Sequence, residues 1–327
     1  MEREIETVRE KPHWSYSAFQ TYLTCPMRYY FRYIEHAEVE RTPIHIPFGR
    51  AFHLVLSDRA QKGTSYTIQD AKEDFAVYFK GETEVCENLT CKPDEDYWFW
   101  DKRGCDMLDV ALADWPDDYT VKSVAEAFSV NVPGLSKPLV GEFDLVTVDG
   151  GDETICDWKT ATMNWPKGKA DRDLQATTFC YAFQQKYGIN PLFRFDVYTK
   201  AKTPAHHQFY TLRSCDDFDR FIYLAGQIEK AVNNGLFIPI ESCMNCAECA
   251  YGSRCKAIHR KVSNCLPVGL IKPCVQHIQE YAPAPIPLDS LMNIEQRLLR
   301  RLAFAHQNNM MPPGDAENLF GYRADSI

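Results

Sequence analysis

The sequence predicts an α/β fold, a mixed central sheet flanked by helices, and three observations predict it. Between residues 121 and 200, short β-prone runs (123–132, 139–148 and 153–159) are separated by Pro133-Gly134 and by Asp149-Gly150-Gly151. Asp-Gly between two such runs is a hairpin signal. A helical pattern over 173–187 then leads into β-prone runs at 193–200 and 207–212, and strands followed by a helix and further strands give a mixed sheet. Finally, 327 residues with 45% apolar content can bury one substantial core plus a small appended module.

Along the chain, residues 13–120 read as mostly helical. Ser17 and Gln20 stand in capping-box spacing ahead of an aromatic-rich stretch, 22–34, which Pro26 breaks in two. Residues 48–61 form another helix, with Phe52, Val55 and Leu56 on one apolar stripe and Gly63 at its end. After the strands, 216–234 is again helical. A cysteine-dense segment from Cys243 to Cys255 follows, and then a proline-marked tail. In that tail, 293–306 sets Leu298, Leu299, Leu302 and Phe304 among Arg297, Arg300 and Arg301, the pattern of an amphipathic helix. These changes of character divide the chain into a helical region (1–120), a core (121–235), a cysteine module (236–262) and a tail (263–327).

Composition narrows the function classes. The apolar content excludes a disordered chain. The first eleven residues are too charged for a secretory signal, and no apolar run approaches the roughly 18 residues of a membrane span, so a soluble, cytoplasmic protein is expected. A net charge of -9 argues against bulk electrostatic coating of nucleic acid, which shows as a basic excess. It leaves room for a site where carboxylates gather around divalent cations. In a reducing compartment, thirteen cysteines point to metal or cluster ligands before disulfides.

The most informative run is Ile155-Cys156-Asp157-Trp158-Lys159-Thr160. In a strand, Asp157 and Lys159 project together while Trp158 packs on the other side. An acid beside a lysine suits phosphodiester hydrolysis: the acid can hold a divalent cation, and the lysine can orient water or stabilise charge on the phosphate. The other acid-x-lysine match, Asp70-Ala71-Lys72, falls in a helical pattern, where residues two apart diverge. The preceding strand contributes Asp144, and pairing across the Asp149-Gly150 turn brings it near Asp157, on one face if the register is even. Two carboxylates about 4 Å apart repel by roughly 4 kcal/mol at an effective dielectric of 20, a penalty that a shared cation removes.

Cys243, Cys246, Cys249 and Cys255 are spaced C-x2-C-x2-C-x5-C. Thiolates this close can share one metal centre, and packing requires no such density. A four-cysteine zinc site normally uses two separated C-x2-C knuckles, whereas short gaps match iron-sulfur ligation, which favours a 4Fe-4S cluster over zinc. A purely local reading uses Cys243 as a ligand.

Taken in order, Cys25-Pro26, Gly49-Arg50-Ala51-Phe52-His53, Gly141 to Val146, Asp157-Trp158-Lys159-Thr160, Gln175, Tyr181 and then the clustered cysteines resemble the RecB-like branch of the PD-(D/E)XK nucleases. That branch includes AddB-type repair nucleases and the CRISPR-associated nucleases of spacer acquisition. The resemblance covers residues 15–260. It implies a restriction-endonuclease-like core and a metal-dependent deoxyribonuclease acting on single-stranded or free DNA ends, with a larger repair, recombination or CRISPR complex as partner. It makes His53, Asp144 and Asp157 the metal ligands, with a backbone carbonyl near Trp158, and Lys159 the catalytic lysine. Gln175 and Tyr181 match the pair that positions the substrate phosphate, and Glu126 stands where relatives often carry an acid on the first core strand. The implied metal is Mg²⁺ or Mn²⁺; oxygen ligands suit both, and an imidazole tilts the site toward Mn²⁺. For the cluster, the resemblance pairs the distant Cys25 with Cys246, Cys249 and Cys255 and leaves Cys243 spare. Two rival readings are a catalytically idle DNA-binding or assembly subunit, against which the intact acid, acid and lysine set argues, and a zinc-binding interaction protein.

Overall fold

A computed structural model of the protein describes residues 4–115, 120–149 and 151–265. The chain divides into units Met1–Ile258 and His259–Ile327. The fold and site below belong to the first, and the tail helix expected over 293–306 lies outside the described residues.

After a short helix, α1 (Glu4–Arg9), helix α2 (Tyr16–Thr24) starts where the Ser15 hydroxyl accepts the Ala18 N–H at 3.2 Å. The cap therefore stands two residues ahead of the expected Ser17. Ser17 already lies inside the helix, its carbonyl accepting from the Thr21 hydroxyl at 2.7 Å. Cys25 is extended and ends α2, and Pro26, with no N–H to leave unsatisfied, opens α3 (Pro26–Tyr29), which runs into one π-helical turn, Tyr30–Ile34.

Two-residue strands β1 (Thr42–Pro43) and β2 (Leu89–Thr90) pair in parallel across the next helices. Helix α4 (His45–Lys62) ends at Gly63, whose φ of 62° favours glycine. Helix α5 (Ile68–Glu84) opens on a reciprocal Thr67–Asp70 capping box, so the acid of the second acid-x-lysine match is engaged by the N-cap Thr67. Helix α6 (Tyr97–Ala113) is capped by Asp96.

The sheet runs β3 (Thr120–Val130), β4 (Leu139–Asp149), β5 (Asp152–Ala161), β6 (Leu192–Thr199), β7 (His206–Thr211) in sequence order. All neighbours are antiparallel except β5 and β6, which are parallel and joined through α7 (Lys169–Arg172) and α8 (Leu174–Tyr187). Helices α9 (Cys215–Asn233), α10 (Cys243–Ala247) and α11 (Gly252–Cys265) follow. Both faces of the sheet are covered. Phe143, Ile155, Phe195 and Val197 pack with α2, α8 and α9, while Leu145, Cys156, Trp158 and Tyr198 pack with α4, α5 and α6. Along β5 this is the period-two alternation of a strand buried on both sides. The N-terminal segment is tied across the sheet's end: the Trp14 indole N–H donates to Glu229 Oε1 on α9 at 2.9 Å, and the same carboxylate accepts the Ser136 N–H and hydroxyl.

Candidate active site

The β4–β5 hairpin turns between Asp149 and Asp152, with Gly151 at φ 97°, and its last paired rung outward is Leu145 with Cys156. One residue beyond that rung stands an acid on each strand, Asp144 and Asp157. Trp158 turns away, 1% exposed among the α4–α6 side chains. Asp157 and Lys159 thus share the face toward α8. There the Lys159 ammonium contacts Asp157 Oδ2, and Gln175 Nε2 donates to Asp157 Oδ1 at 2.6 Å. Asp144 Oδ2 accepts the Trp158 N–H at 3.0 Å and lies 3.4 Å from His53 Nδ1, which α4 delivers from the other side. The structure therefore gathers five residues expected from sequence: His53, Asp144, Asp157, Lys159 and Gln175.

The electrostatics follow from burial. Asp157, 2% exposed at its side chain, has its pKa pushed up to about 6 by burial, against the pull of Lys159 and with Asp144 adding repulsion. Burial likewise raises Asp144. Burial and the nearby Lys159 hold His53 down at about 4, so its imidazole is neutral at physiological pH with a lone pair free to ligate. Burial works against the Lys159 ammonium, but Asp157 and Asp144 outweigh it and hold its pKa above the ordinary lysine value. Among the described residues, no three His, Cys, Asp or Glu side chains converge tightly enough to hold an ion as they stand. The donor chemistry nevertheless fits a divalent cation: a neutral imidazole beside two acids on adjacent strands offers the nitrogen and oxygen donors such an ion takes.

Two other expected residues are placed elsewhere. Tyr181 donates to the Asn131 carbonyl at 3.2 Å and packs against Phe218 and Phe221. Six positions along a helix rotate a side chain by about 240°, so Tyr181 cannot share the face of Gln175. Glu126 on β3 accepts from Lys186 Nζ at 2.6 Å and from the Ser123 and Tyr187 hydroxyls, and so fastens the end of α8. Sequence reasoning passed over Asp173, the N-cap of α8, which accepts the Gln175 N–H at 2.9 Å, and Tyr16, whose hydroxyl feels both Asp173 and Asp157. The cap position of Asp173, two residues before Gln175, was the available signal.

A second site lies apart. Cys25, Cys246, Cys249 and Cys255 line one pocket of about 680 Å³. The two segments that carry them are fastened by Arg28 Nη2 donating to the Asn245 carbonyl at 2.6 Å and Asn245 Nδ2 donating to the Thr24 carbonyl at 3.2 Å. Burial raises the Cys255 pKa, and Cys25, Cys249 and Cys246 add to it, as expected of neighbouring thiols. Cys243 opens α10, and its side chain lies outside the described residues.

Two strand-borne acids, a lysine and a helix-borne glutamine on a five-stranded mixed sheet with helices on both faces make the frame of a nuclease. The chain belongs to the PD-(D/E)XK nuclease superfamily, whose sequence model matches residues 13–256. No curated protein matches it in sequence. Among solved structures it is similar to a candidate exonuclease from Eubacterium rectale (14% identity, 73% of this chain and 87% of that one, TM-score 0.45). It is also similar to SSO0001 (11% identity, 77% and 97%, TM-score 0.30). Among the described residues no helix is long and apolar enough to cross a membrane.

Proposed function

We propose that this nuclease is a metal-dependent deoxyribonuclease of the RecB-like branch, acting as an exonuclease on single-stranded or frayed DNA ends. The observation that carries the reading is the meeting of His53, Asp144, Asp157, Lys159 and Gln175 at one end of the β4–β5 pair. His53, Asp144 and Asp157 are the residues that would hold Mg²⁺ or Mn²⁺. Such an ion, when bound, supplies Lewis acidity at the phosphoryl oxygen and lowers the pKa of water. Lys159, held protonated by its two acid neighbours, acts as a fixed positive charge toward the phosphate and not as a proton acceptor. Gln175 fixes the Asp157 carboxylate, and Asp173 fixes the start of the helix that carries Gln175. Tyr181 and Glu126 serve the site by setting the position of α8.

The reading extends to a structural 4Fe-4S cluster on Cys25, Cys246, Cys249 and Cys255, the set the resemblance implies, with Cys243 as the alternative ligand; what supports it is that these four cysteines line one pocket. The cluster would staple the N-terminal helices to the segment after the core, closing a long loop. Repair, recombination or CRISPR-type processing is the setting the resemblance suggests.

The test is cleavage of end-labelled single- and double-stranded DNA with Mg²⁺ or Mn²⁺, comparing the native protein with Asp157→Ala and Lys159→Ala. Both variants should lose about 10²–10³-fold or more in rate. Equal cutting by all three rejects the centre, and no cutting by the native protein favours the idle-subunit reading. Iron and sulfide analysis of anaerobically purified protein addresses the pocket: zinc without the broad visible absorbance of an iron-sulfur centre would sink the cluster.

A further inference from the structure

A groove of about 1360 Å³ opens between α2, the 166–174 segment and α9. None of the five active-centre residues lines it, but Tyr16 and Asp173, which do, stand near enough to Asp157 and Lys159 to interact with their charges. Tyr16 and Asp173 line the groove, and a chain of hydrogen bonds runs from Asp173 through Gln175 to Asp157. Lys169, on the same wall, is close enough to Lys159 for the two charges to repel.

The lining carries four bases and four acids, but they are engaged differently. Asp171 accepts the Thr211 hydroxyl at 2.9 Å, Asp217 closes the capping box of α9, and Asp173 caps α8. Asp219 is the remaining acid. Lys169 lies over the Trp165 ring, 3.7 Å from its centroid. Lys167, Arg172 and Arg220 are exposed and make no ion pair or hydrogen bond among the described residues. Beside them Tyr223 is 70% exposed and Leu23 42% exposed. Exposed cations interleaved with open ring and apolar surface, in a recess beside the active centre, are the pattern that takes unpaired bases on a tracked backbone.

We infer that this groove holds the single strand of DNA adjoining the scissile phosphate, with Lys167, Arg172 and Arg220 on its phosphates and Tyr223 against a base. The inference rests on the nuclease reading above. It gives a net-acidic protein a local binding surface that its total charge of -9 conceals.

The test uses the full chain and a labelled oligodeoxythymidine, comparing the native protein with the triple variant Lys167→Ala, Arg172→Ala, Arg220→Ala. The control is Lys80→Ala, Lys102→Ala on α5 and α6. Losing contacts made equally before and during reaction raises KM with kcat unchanged. Three lost phosphate contacts also flatten the slope of log affinity against log salt by about 2. The expected result is a KM raised at least tenfold and that flatter slope for the triple variant only, with a blunt duplex less affected. Unchanged KM and slope in a protein that still cleaves overturns the groove and leaves the nuclease reading standing. A fall in kcat at constant KM, or an equal loss on blunt duplex, also overturns it. If the native protein neither binds nor cleaves the oligonucleotide, both readings fall.

Discussion

At Gly141, three residues before Asp144 on β4, the ring of Phe128 occupies the space a side chain would need. A Cβ placed there would lie 2.3 Å from Phe128 Cζ and 2.8 Å from Cε1. The ring cannot swing aside freely: Phe128 is 2% exposed, stacked on Phe143 at 4.6 Å and edge-on to Phe179 at 5.5 Å. Gly141→Ala therefore overpacks the core, a change that typically costs about 1–3 kcal/mol. For a domain of this size each kcal/mol moves Tm by roughly 2–4 °C. Thermal unfolding should thus fall by roughly 2–12 °C. Phe128→Leu leaves room for the new methyl, so the double variant should be more stable than the two single losses predict, by about 1 kcal/mol or more. An unchanged Tm for Gly141→Ala, or strictly additive losses, would refute the packing at the root of the β4 motif.

Lys200 is part-buried, its ammonium 3.5 Å from the Thr160 hydroxyl and 6.0 Å from the centre of the Phe48 ring, and burial pulls its pKa from 10.5 to about 8. A base with a depressed pKa costs stability while it is forced to carry charge, so the cost is full below pH 8 and fades toward pH 10.5. It amounts to at most about 3 kcal/mol, less what solvent screens at the exposed end. Lys200→Met should be more stable than the native protein at neutral pH, with the gap closing in alkali; a gap that does not change with pH contradicts this. Glu229 has the opposite sign. The Trp14 and Ser136 hydrogen bonds outweigh burial and hold its pKa below the ordinary carboxylate value, so its contribution is present at neutral pH and is lost as the pH falls through that lowered pKa. Glu229→Gln should lose about 1–3 kcal/mol at pH 7 and show a shallower acid limb in urea denaturation than the native protein. Identical acid limbs would count against it.

What could be read from sequence and what could not divide along physical lines. The strands were legible because period-two alternation and the Asp149-Gly150 turn are local, and the same locality put Asp157 and Lys159 on one face. The Asp144 partnership needed only one tight hairpin. The start of α2 was misread because Ser15 and Ser17 both precede plausible turns, and only the Ser15–Ala18 spacing meets the helix that forms. Tyr16 and Asp173 escaped notice because their nearness to Asp157 depends on how α2 and α8 pack, a relation that spans the whole core. Glu126 matched an acid position on β3, but its engagement by Lys186, sixty residues away, is set by the docking of α8.

In the proposed centre the acids hold a cation while the lysine acts beside it. Isothermal titration of Mn²⁺ into the native protein, Asp144→Asn, Asp157→Asn and Lys159→Ala tests that division most directly. Binding should be present in the native protein and in Lys159→Ala and lost in both acid variants. Equal Mn²⁺ affinity in all four proteins, or none in the native one, would contradict it.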